Sequence, residues 1–385
     1  MQPRALADRC PGLLRPHVAE DGPLVRLRIP GGQTTSTVLR ELSAIAAEYG
    51  EGSVQLTSRS NVQLRGLARH RMRELVERVA ATGLLPSVTH ERVRNIAASP
   101  LTGLPGTGQT RRRPDLRALV AQLDVAVCAT PALVELPGRF LFAVDDGSRD
   151  VTGLKFDLAF RADDPLEDER SGSGTVLVGD ARHGIPTATA DAVDVMITLA
   201  CRFLELRDLL SPRPWHIAEL PEVGELDPRI QPVPSPAVPA AGVPLGVIGD
   251  AASVAVPLSL LSAGQIEAVH RATRGGTVVI TPWRGLVLPG AAESLPALDK
   301  AGLIIDAASV WSQLTACMGA PGCARSAIST QSTAAQLVAA LPGPPALPVH
   351  LSGCERRCGS PHGAHVDLVA PTSTAAALGE IGRHR

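Results

Sequence analysis

Aromatic residues and lysine are scarce in this chain of 385 residues. Aromatics make up 2% of it, and Lys155 and Lys300 are the two lysines among 37 basic residues, so the other 35 are arginines. Anion recognition must therefore use mostly guanidinium groups, which are planar, permanently charged and able to bind a carboxylate through two hydrogen bonds. The chain also lacks a large net charge, with a formal value of −1. No overall field therefore recruits nucleic acid or an anionic membrane.

Long apolar runs are absent as well. The sequence contains no run of about 18 apolar residues, the length that a membrane-spanning helix needs. Residues 1–22 also lack the basic-then-apolar order of an export signal. We therefore expect a cytoplasmic protein that does not bind membranes. With 44% hydrophobic residues the chain can bury a sizeable core, and its length favours two or three domains.

The clearest break in the sequence is residues 220–246, which contain seven prolines. Such a segment sustains neither a helix nor a central strand, and it is interpreted as an extended linker. The sequence on its two sides repeats one order of strands and helices: "LVRLRIPGG" and a helix capped by Ser36 before the linker, "PLGVIGD" and "SAGQIEAVHRAT" after it. Leu56-Thr57 aligns with Ile280-Thr281, and Gly83 with Gly302. We interpret this as a pseudo-twofold duplication, although any α/β protein offers similar strings.

Between the copies, residues 91–219 form a separate block. It contains the strands "RFLFAVDDG" and "GTVLVGD" and a long helix for which Thr189 is the predicted cap. The predicted domain plan is a first half-domain (1–90), a first lobe (91–219), the linker (220–246), a second half-domain (247–305) and a cysteine-containing lobe (306–385).

Four of the seven cysteines fall in the last block, as "CMGAPGC" and "CERRC". In a reducing compartment such a group is more typical of metal ligands or catalytic thiols than of disulfides. Thiolates suit an iron–sulfur centre or another soft metal. A zinc site usually has closer C-x2–4-C pairs, and four unrelated buried thiols are a further alternative. Arg325, Arg356 and Arg357 nearby would help to keep the thiols ionised.

The C-x5-C and C-x3-C spacings resemble the signature of the sulfite and nitrite reductase family, whose four cysteines hold a [4Fe-4S] cluster. The resemblance implies Cys317, Cys323, Cys354 and Cys358 as cluster ligands, with Cys358 as the bridge to sirohaem in haem-containing members. It also implies an α+β fold, built from duplicated ferredoxin-like half-domains, each followed by an α/β catalytic lobe.

Arginines match further motifs of this family. Arg59 in "LTSRSNVQL" corresponds to the arginine of "TxRQxxQ", and Arg94 in "RVRN" to that of "RN". Arg139 in "PGRFLF" takes the place of the first lysine of "KFK", but Leu141 replaces the second. Taken singly, each arginine would more often be a solvated surface group, but three at motif positions together favour the anion-binding role.

Leu141 removes an ammonium group that sulfite or nitrite reduction would use. With the short chain and the "DDG" at Asp145–Gly147, this resembles the branch of the family that converts precorrin-3A to precorrin-3B in aerobic cobalamin biosynthesis. That monooxygenase reaction uses O2 and reducing equivalents, hydroxylates the ring and forms a lactone. Arg59, Arg94 and Arg139 would then clamp the carboxylates of a tetrapyrrole substrate.

The same resemblance implies the [4Fe-4S] cluster and a non-haem iron, for which the sequence identifies no ligand set. His350, His362 and His365 flank the last cysteines, but an ordinary hydrogen-bonded role is expected for them. "GTGQT" at 106–110 lies in a polar loop and does not follow a strand, so a separate NAD(P)H-dependent protein is expected to donate electrons. A sirohaem-dependent nitrite or sulfite reductase and a non-catalytic iron–sulfur or zinc protein are the alternatives.

Overall fold

A computed structural model describes residues 8–104, 113–163, 172–179, 181–234, 242–361 and 363–384. Its helices are α1 (Ser36–Tyr49), α2 (Met72–Ala81), α3 (Arg117–Ala129), α4 (Ala192–Leu209), α5 (Ala263–Thr273), α6 (Leu295–Lys300), α7 (Thr330–Ala340) and α8 (Thr374–Gly382). No helix in these ranges is both long enough and apolar enough to cross a membrane. "GTGQT" and His362 lie outside the described residues.

The strands are short and form four sheets. They are β1 (His17–Ala19), β2 (Gly22–Leu27), β3 (Gln33–Thr35), β4 (Val54–Leu56), β5 (Val62–Leu64), β6 (Ile96–Ala98), β7 (Phe142–Asp145), β8 (Leu158–Ala162), β9 (Ser173–Val178), β10 (His183–Ala188), β11 (Gln231–Pro232), β12 (Gly246–Ile248), β13 (Ala251–Ala255), β14 (Leu260–Leu261), β15 (Thr277–Ile280), β16 (Gly285–Leu288), β17 (Leu314–Ala316), β18 (Val349–Ser352) and β19 (Val366–Val369).

Two five-stranded sheets repeat one topology and exchange a strand. The first has the order β1-β2-β5-β4-β14, and the second β12-β13-β16-β15-β3. β14 from the second copy pairs with β4 of the first, and β3 from the first copy pairs with β15 of the second. Apolar residues of α1 and α5, such as Leu42 and Ile266, share one hydrophobic core with both sheets. Neither copy therefore completes its own sheet.

Helix starts differ in two places from the prediction. Thr35, not Ser36, caps α1, because its extended backbone lets the side chain accept a hydrogen bond from the Val38 amide. Ser36 is already helical and buried. Thr189 does not cap α4 either; it begins a short 3-10 turn that ends at Asp191, and the α-helix follows at Ala192.

A third sheet has six strands in the order β11-β10-β9-β8-β7-β6. α3 and α4 pack on one face over a large apolar core, and the other face carries a smaller apolar cluster that contains Leu141. β6, β7 and β8 are parallel. β11 comes from the proline-rich segment and lies at the sheet edge, where a proline can be accommodated.

The last sheet is parallel, β17-β18-β19, and packs against α7 and α8. Val349 and Leu351 on β18 belong to the core with these helices. Because side chains alternate along a strand, His350 and Ser352 face the opposite side of this sheet. We call residues 306–384 the cysteine lobe.

Candidate functional site

The four motif cysteines lie on two loops of the cysteine lobe. Cys317 directly follows β17, and Cys354 follows β18, the neighbouring parallel strand. Both loops therefore leave the same edge of the sheet. Burial raises the pKa of the Cys358 thiol, Arg356 opposes this shift, and the charges of Cys317, Cys354 and Cys323 raise it further. The loops of Cys317 and Cys354 therefore lie beside each other at one end of this sheet.

Backbone groups surround the Cys317 sulfur. The Gly353 amide donates a hydrogen bond to Cys317 Sγ at 3.2 Å, and the Cys317 amide donates to the Leu351 carbonyl at 2.9 Å. A Cβ at Gly353 would collide with Ser326 Oγ, so only glycine brings its amide this close. Amide hydrogen bonds to cysteine sulfur are among the groups that tune iron–sulfur centres.

The chemistry of the donor set is that of an iron–sulfur centre, which cysteine thiolates hold. Cys317, Cys323 and Cys354 are half-buried and Cys358 is exposed, on two loops that leave one end of the sheet. Across the described ranges, no three His, Cys, Asp or Glu side chains lie close enough together to hold a single metal ion.

The histidines near the cysteines make hydrogen bonds. His350 Nδ1 lies 2.9 Å from Thr315 Oγ1 on the neighbouring strand, and His365 Nε2 lies 2.9 Å from Ser360 Oγ.

Arg65 anchors the first cysteine loop and was missed by the sequence reasoning. Its guanidinium donates to the Gly322 carbonyl at 2.9 Å and to both carboxylate oxygens of Asp21 at 3.2 Å. Arg65 is buried. The loop that carries Cys317 and Cys323 is therefore fixed to the first five-stranded sheet.

A group of four arginines, here called the arginine cluster, forms a second candidate site: Arg26 on β2, Arg28 just after it, Arg59 between β4 and β5, and Arg139 before β7. Arg28 is 1% exposed, and its Nε and Nη2 have no hydrogen-bond partner in the described part of the chain. Burial, with the charges of Arg26 and Arg59, lowers its pKa to about 9. Burial also lowers the pKa of Arg59, as do Arg26 and Arg139. The cluster is thus rich in uncompensated positive charge.

Buried amides hold the loops of the arginine cluster together. Asn61 Oδ1 accepts from the Ile29 amide at 2.9 Å, and Asn61 Nδ2 donates to Asn95 Oδ1 at 3.2 Å. Asn95 Nδ2 in turn donates to the Gly138 carbonyl at 3.0 Å. This chain of hydrogen bonds places the turn of Arg59 beside the loop of Arg139.

The guanidinium of Arg94 is paired with a carboxylate within the protein. It is 4% exposed, and its Nε and Nη2 donate to the two carboxylate oxygens of Asp124, each at 2.7 Å. Its Nη1 donates to the Leu84 carbonyl at 3.3 Å. Of the three arginines predicted to bind substrate, the structure therefore brings together Arg59 and Arg139.

Leu141 is buried within the apolar cluster of the six-stranded sheet. Its amide donates to the fully buried Asp157 at 2.8 Å, and the Ile217 amide donates to the same carboxylate at 2.9 Å. Next to it, the Arg139 guanidinium lies 5.8 Å from the centroid of Trp215. Leu141 therefore offers no ammonium group at the position of the second lysine of the family's "KFK" motif.

The "DDG" turn places buried carboxylates at the carboxyl end of β7. Burial, and then the charge of Asp150, raises the pKa of Asp145 to about 7. Asp145 accepts hydrogen bonds from the Gly147 and Arg149 amides at 2.9 and 2.8 Å. These bonds shape the turn.

A cavity of about 460 Å³ lies beside the segment Leu341–Ala346 and Ile381. Its lining is apolar, and none of the predicted site residues belongs to it.

Comparisons with known proteins agree with this architecture. Residues 17–82, which contain the first copy of the repeat, match the family model "Nitrite/Sulfite reductase ferredoxin-like half domain". The structure of the Mycobacterium tuberculosis NirA protein superposes with a TM-score of 0.67 at 20% sequence identity, over 86% of this chain and 68% of that one. The predicted fold class, with ferredoxin-like half-domains in a sulfite reductase-like arrangement, is confirmed.

Among curated proteins, the precorrin-3B synthase of Sinorhizobium sp is 25% identical over 94% of this chain and 81% of its own length. The ferredoxin–nitrite reductase of Synechococcus elongatus is 35% identical over 126 residues, which are 32% of this chain and 25% of that protein. The chain thus spans about a quarter of the nitrite reductase it matches. The resemblance to precorrin-3B synthase, within the nitrite and sulfite reductase family, is confirmed.

Proposed function

We propose that this protein is an iron–sulfur monooxygenase that converts precorrin-3A to precorrin-3B. The observation that carries the proposal is the arginine cluster, four guanidinium groups with too few anionic partners for their charge. A macrocycle with many carboxylates supplies the missing partners. The similarity to precorrin-3B synthase over nearly the whole chain supports the same substrate class.

Substrate binding follows from the charges. Carboxylates that enter between Arg26, Arg28, Arg59 and Arg139 would relieve the repulsion among these cations and form two-pronged hydrogen bonds. Arg94 would act differently, by holding α3 through Asp124. Substrate held this way has a fixed orientation, which lowers the entropic part of the barrier.

The cysteines would hold the [4Fe-4S] cluster, which supplies single electrons when bound. In the overall reaction, one atom of O2 enters the substrate and the other leaves as water, with two electrons and two protons consumed. The electrons would come from a separate NAD(P)H-dependent donor. A non-haem iron would belong to the same chemistry, and its ligands are unassigned.

A sirohaem-dependent nitrite or sulfite reductase is the second candidate. The 35% identity to a ferredoxin–nitrite reductase favours it, and Cys358 would then bridge to the haem iron. Leu141 argues against it, because a buried apolar side chain can neither bind a small oxyanion nor deliver protons to it.

The visible spectrum of anaerobically purified protein separates the candidates. We expect a broad absorbance near 400 nm without haem bands, together with iron and sulfide at cluster stoichiometry. Cys323→Ser and Cys354→Ser should lose iron and sulfide, whereas the control Cys201→Ser, altered on α4, should keep them. Strong haem-like bands would favour the reductase, and a colourless zinc-loaded protein would remove both redox functions.

Binding of a stable porphyrin polycarboxylate tests the substrate class. Arg59→Gln or Arg139→Gln should weaken binding by roughly ten- to a hundredfold, because each removes a charge-assisted pair worth on the order of 1.5–3 kcal/mol. Arg73→Gln is the matched control, since this arginine on α2 has a 90% exposed side chain. Equal affinity in all three variants would contradict the proposal.

A further inference from the structure

Two turns of the duplicated half-domains are built alike. In the first, the Thr57 amide donates to the Asn61 carbonyl at 2.9 Å, and the Asn61 amide donates to Thr57 Oγ1 at 3.1 Å. In the second, the Thr281 amide donates to the Gly285 carbonyl at 2.9 Å, and the Gly285 amide donates to Thr281 Oγ1 at 3.1 Å. The two turns are therefore equivalent, residue by residue.

The equivalence pairs Arg59 with Trp283. The next residue in each turn, Ser60 or Arg284, has a positive φ, of 56° and 62° respectively. The two turns also approach each other, because a Cβ at Gly32 would collide with the Ile280 carbonyl and lie 3.0 Å from Ser60 Cβ. Trp283 thus occupies, in the second turn, the position at which the first turn presents Arg59.

Trp283 and Arg284 have the chemistry of a ligand site. Trp283 is 37% exposed, in a chain with three tryptophans, although a large aromatic side chain gains by burial. Arg284 is half-buried; its amide donates to the Thr281 carbonyl at 3.0 Å, and its guanidinium makes no hydrogen bond or ion pair with another described residue. Burial lowers its pKa.

We propose that Trp283 and Arg284 are the contribution of the second half-domain to the tetrapyrrole site. The indole of Trp283 lies against the face of the macrocycle, and the neighbouring Arg284 binds one of its carboxylates. The proposal rests on the proposed function for the substrate class. Both residues belong to the second half-domain, whereas the arginine cluster belongs to the first half-domain and the first lobe.

The test is a titration of the cluster-loaded protein with uroporphyrin, a stable porphyrin octacarboxylate, followed by the porphyrin absorbance and by tryptophan fluorescence. Trp283→Leu should weaken binding about three- to tenfold, and Trp283→Phe less, because phenylalanine keeps an aromatic face. Arg284→Gln should weaken it roughly tenfold or more. The control Trp311→Phe, altered in the cysteine lobe, should bind uroporphyrin like the wild type.

The outcomes distinguish this inference from the proposed function. If Arg59→Gln weakens uroporphyrin binding while Trp283→Leu and Arg284→Gln bind like the wild type, the inference is overturned and the substrate class stands. If wild-type protein with full cluster content does not bind uroporphyrin, both are overturned. Loss of affinity in the Trp283 and Arg284 variants at unchanged iron and sulfide content supports the inference.

Discussion

Asp124 on α3 accepts two hydrogen bonds of 2.7 Å from Arg94, which lies just before β6 in the chain. The pair is largely buried, with side-chain exposures of 5% for Arg94 and 18% for Asp124. Arg94 therefore ties a helix to its sheet, although the family motif predicts an anion-binding role for this position.

Arg94→Gln should consequently reduce stability more than binding. Removal of one partner from a buried ion pair costs about 3–5 kcal/mol, and Asp124→Asn should cost a similar amount. Denaturant unfolding measures the loss, and porphyrin titration of the folded variant should give an affinity within about threefold of wild type. A stable Arg94→Gln protein that no longer binds porphyrin would instead place Arg94 in the substrate site.

Arg65 should control retention of the cluster. Arg65→Met removes the bonds to Asp21 and to the Gly322 carbonyl, which releases the loop of Cys317 and Cys323 and leaves a buried carboxylate without its partner. We expect iron and sulfide to dissociate faster on exposure to a chelator. The matched control is Arg69→Met, which alters an exposed arginine four residues further along the chain. Identical chelation rates would rule out the anchoring role.

The strand exchange predicts that one half-domain does not fold alone. Residues 1–90 would lack β14, which pairs with β4, and the apolar residues of α5 that complete the core. β3 would also lose its partner β15. The fragment should show no cooperative unfolding transition and should aggregate through its open edges. A soluble, cooperatively folded monomer of residues 1–90 would contradict this.

Stability should fall as the pH rises through neutrality. The pKa of Asp145 is raised to about 7, above the value of about 3.9 for an unfolded aspartate. The folded state therefore binds this proton more tightly, and the resulting stability is present below about pH 4 and is lost as the pH rises through 7.

Asp150→Asn should flatten this dependence, because it removes the neighbouring charge that contributes most to the shift of Asp145 after burial. The free energy of unfolding, measured between pH 5 and pH 8, should drop less in this variant than in wild type. Asp250→Asn, at an exposed carboxylate, is the control. Equal slopes in all three proteins would show that Asp145 does not titrate in this range.

Much of the fold follows from local pattern. The alternation of "LVRLRI" and the apolar face of Leu39, Leu42 and Ile45 predict β2 and α1, and the shared turn sequences reveal the duplication. The exchange of β3 and β14 could not be predicted, because two- and three-residue strands carry almost no periodic signal. Cap positions also depend on one backbone dihedral angle, which explains the error at Ser36.

The candidate site was predictable where motifs exist. The spacing of the four cysteines predicts a cluster site, and the structure places Cys317 and Cys354 after neighbouring parallel strands. Arg28 was missed although it follows Arg26 on β2 by two residues, because a sequence does not reveal that a charged side chain is buried. The ion pair of Arg94 could not be predicted either, since its partner Asp124 is 30 residues away in the chain.

Incubation of the cluster-loaded protein with precorrin-3A, isotopically labelled O2 and an electron donor tests the central claim most directly. Mass spectrometry should show a product that has gained one labelled oxygen atom, formed only when both O2 and the donor are present. Unchanged precorrin-3A, together with reduction of sulfite or nitrite at a useful rate by the same preparation, would contradict the claim and favour the reductase.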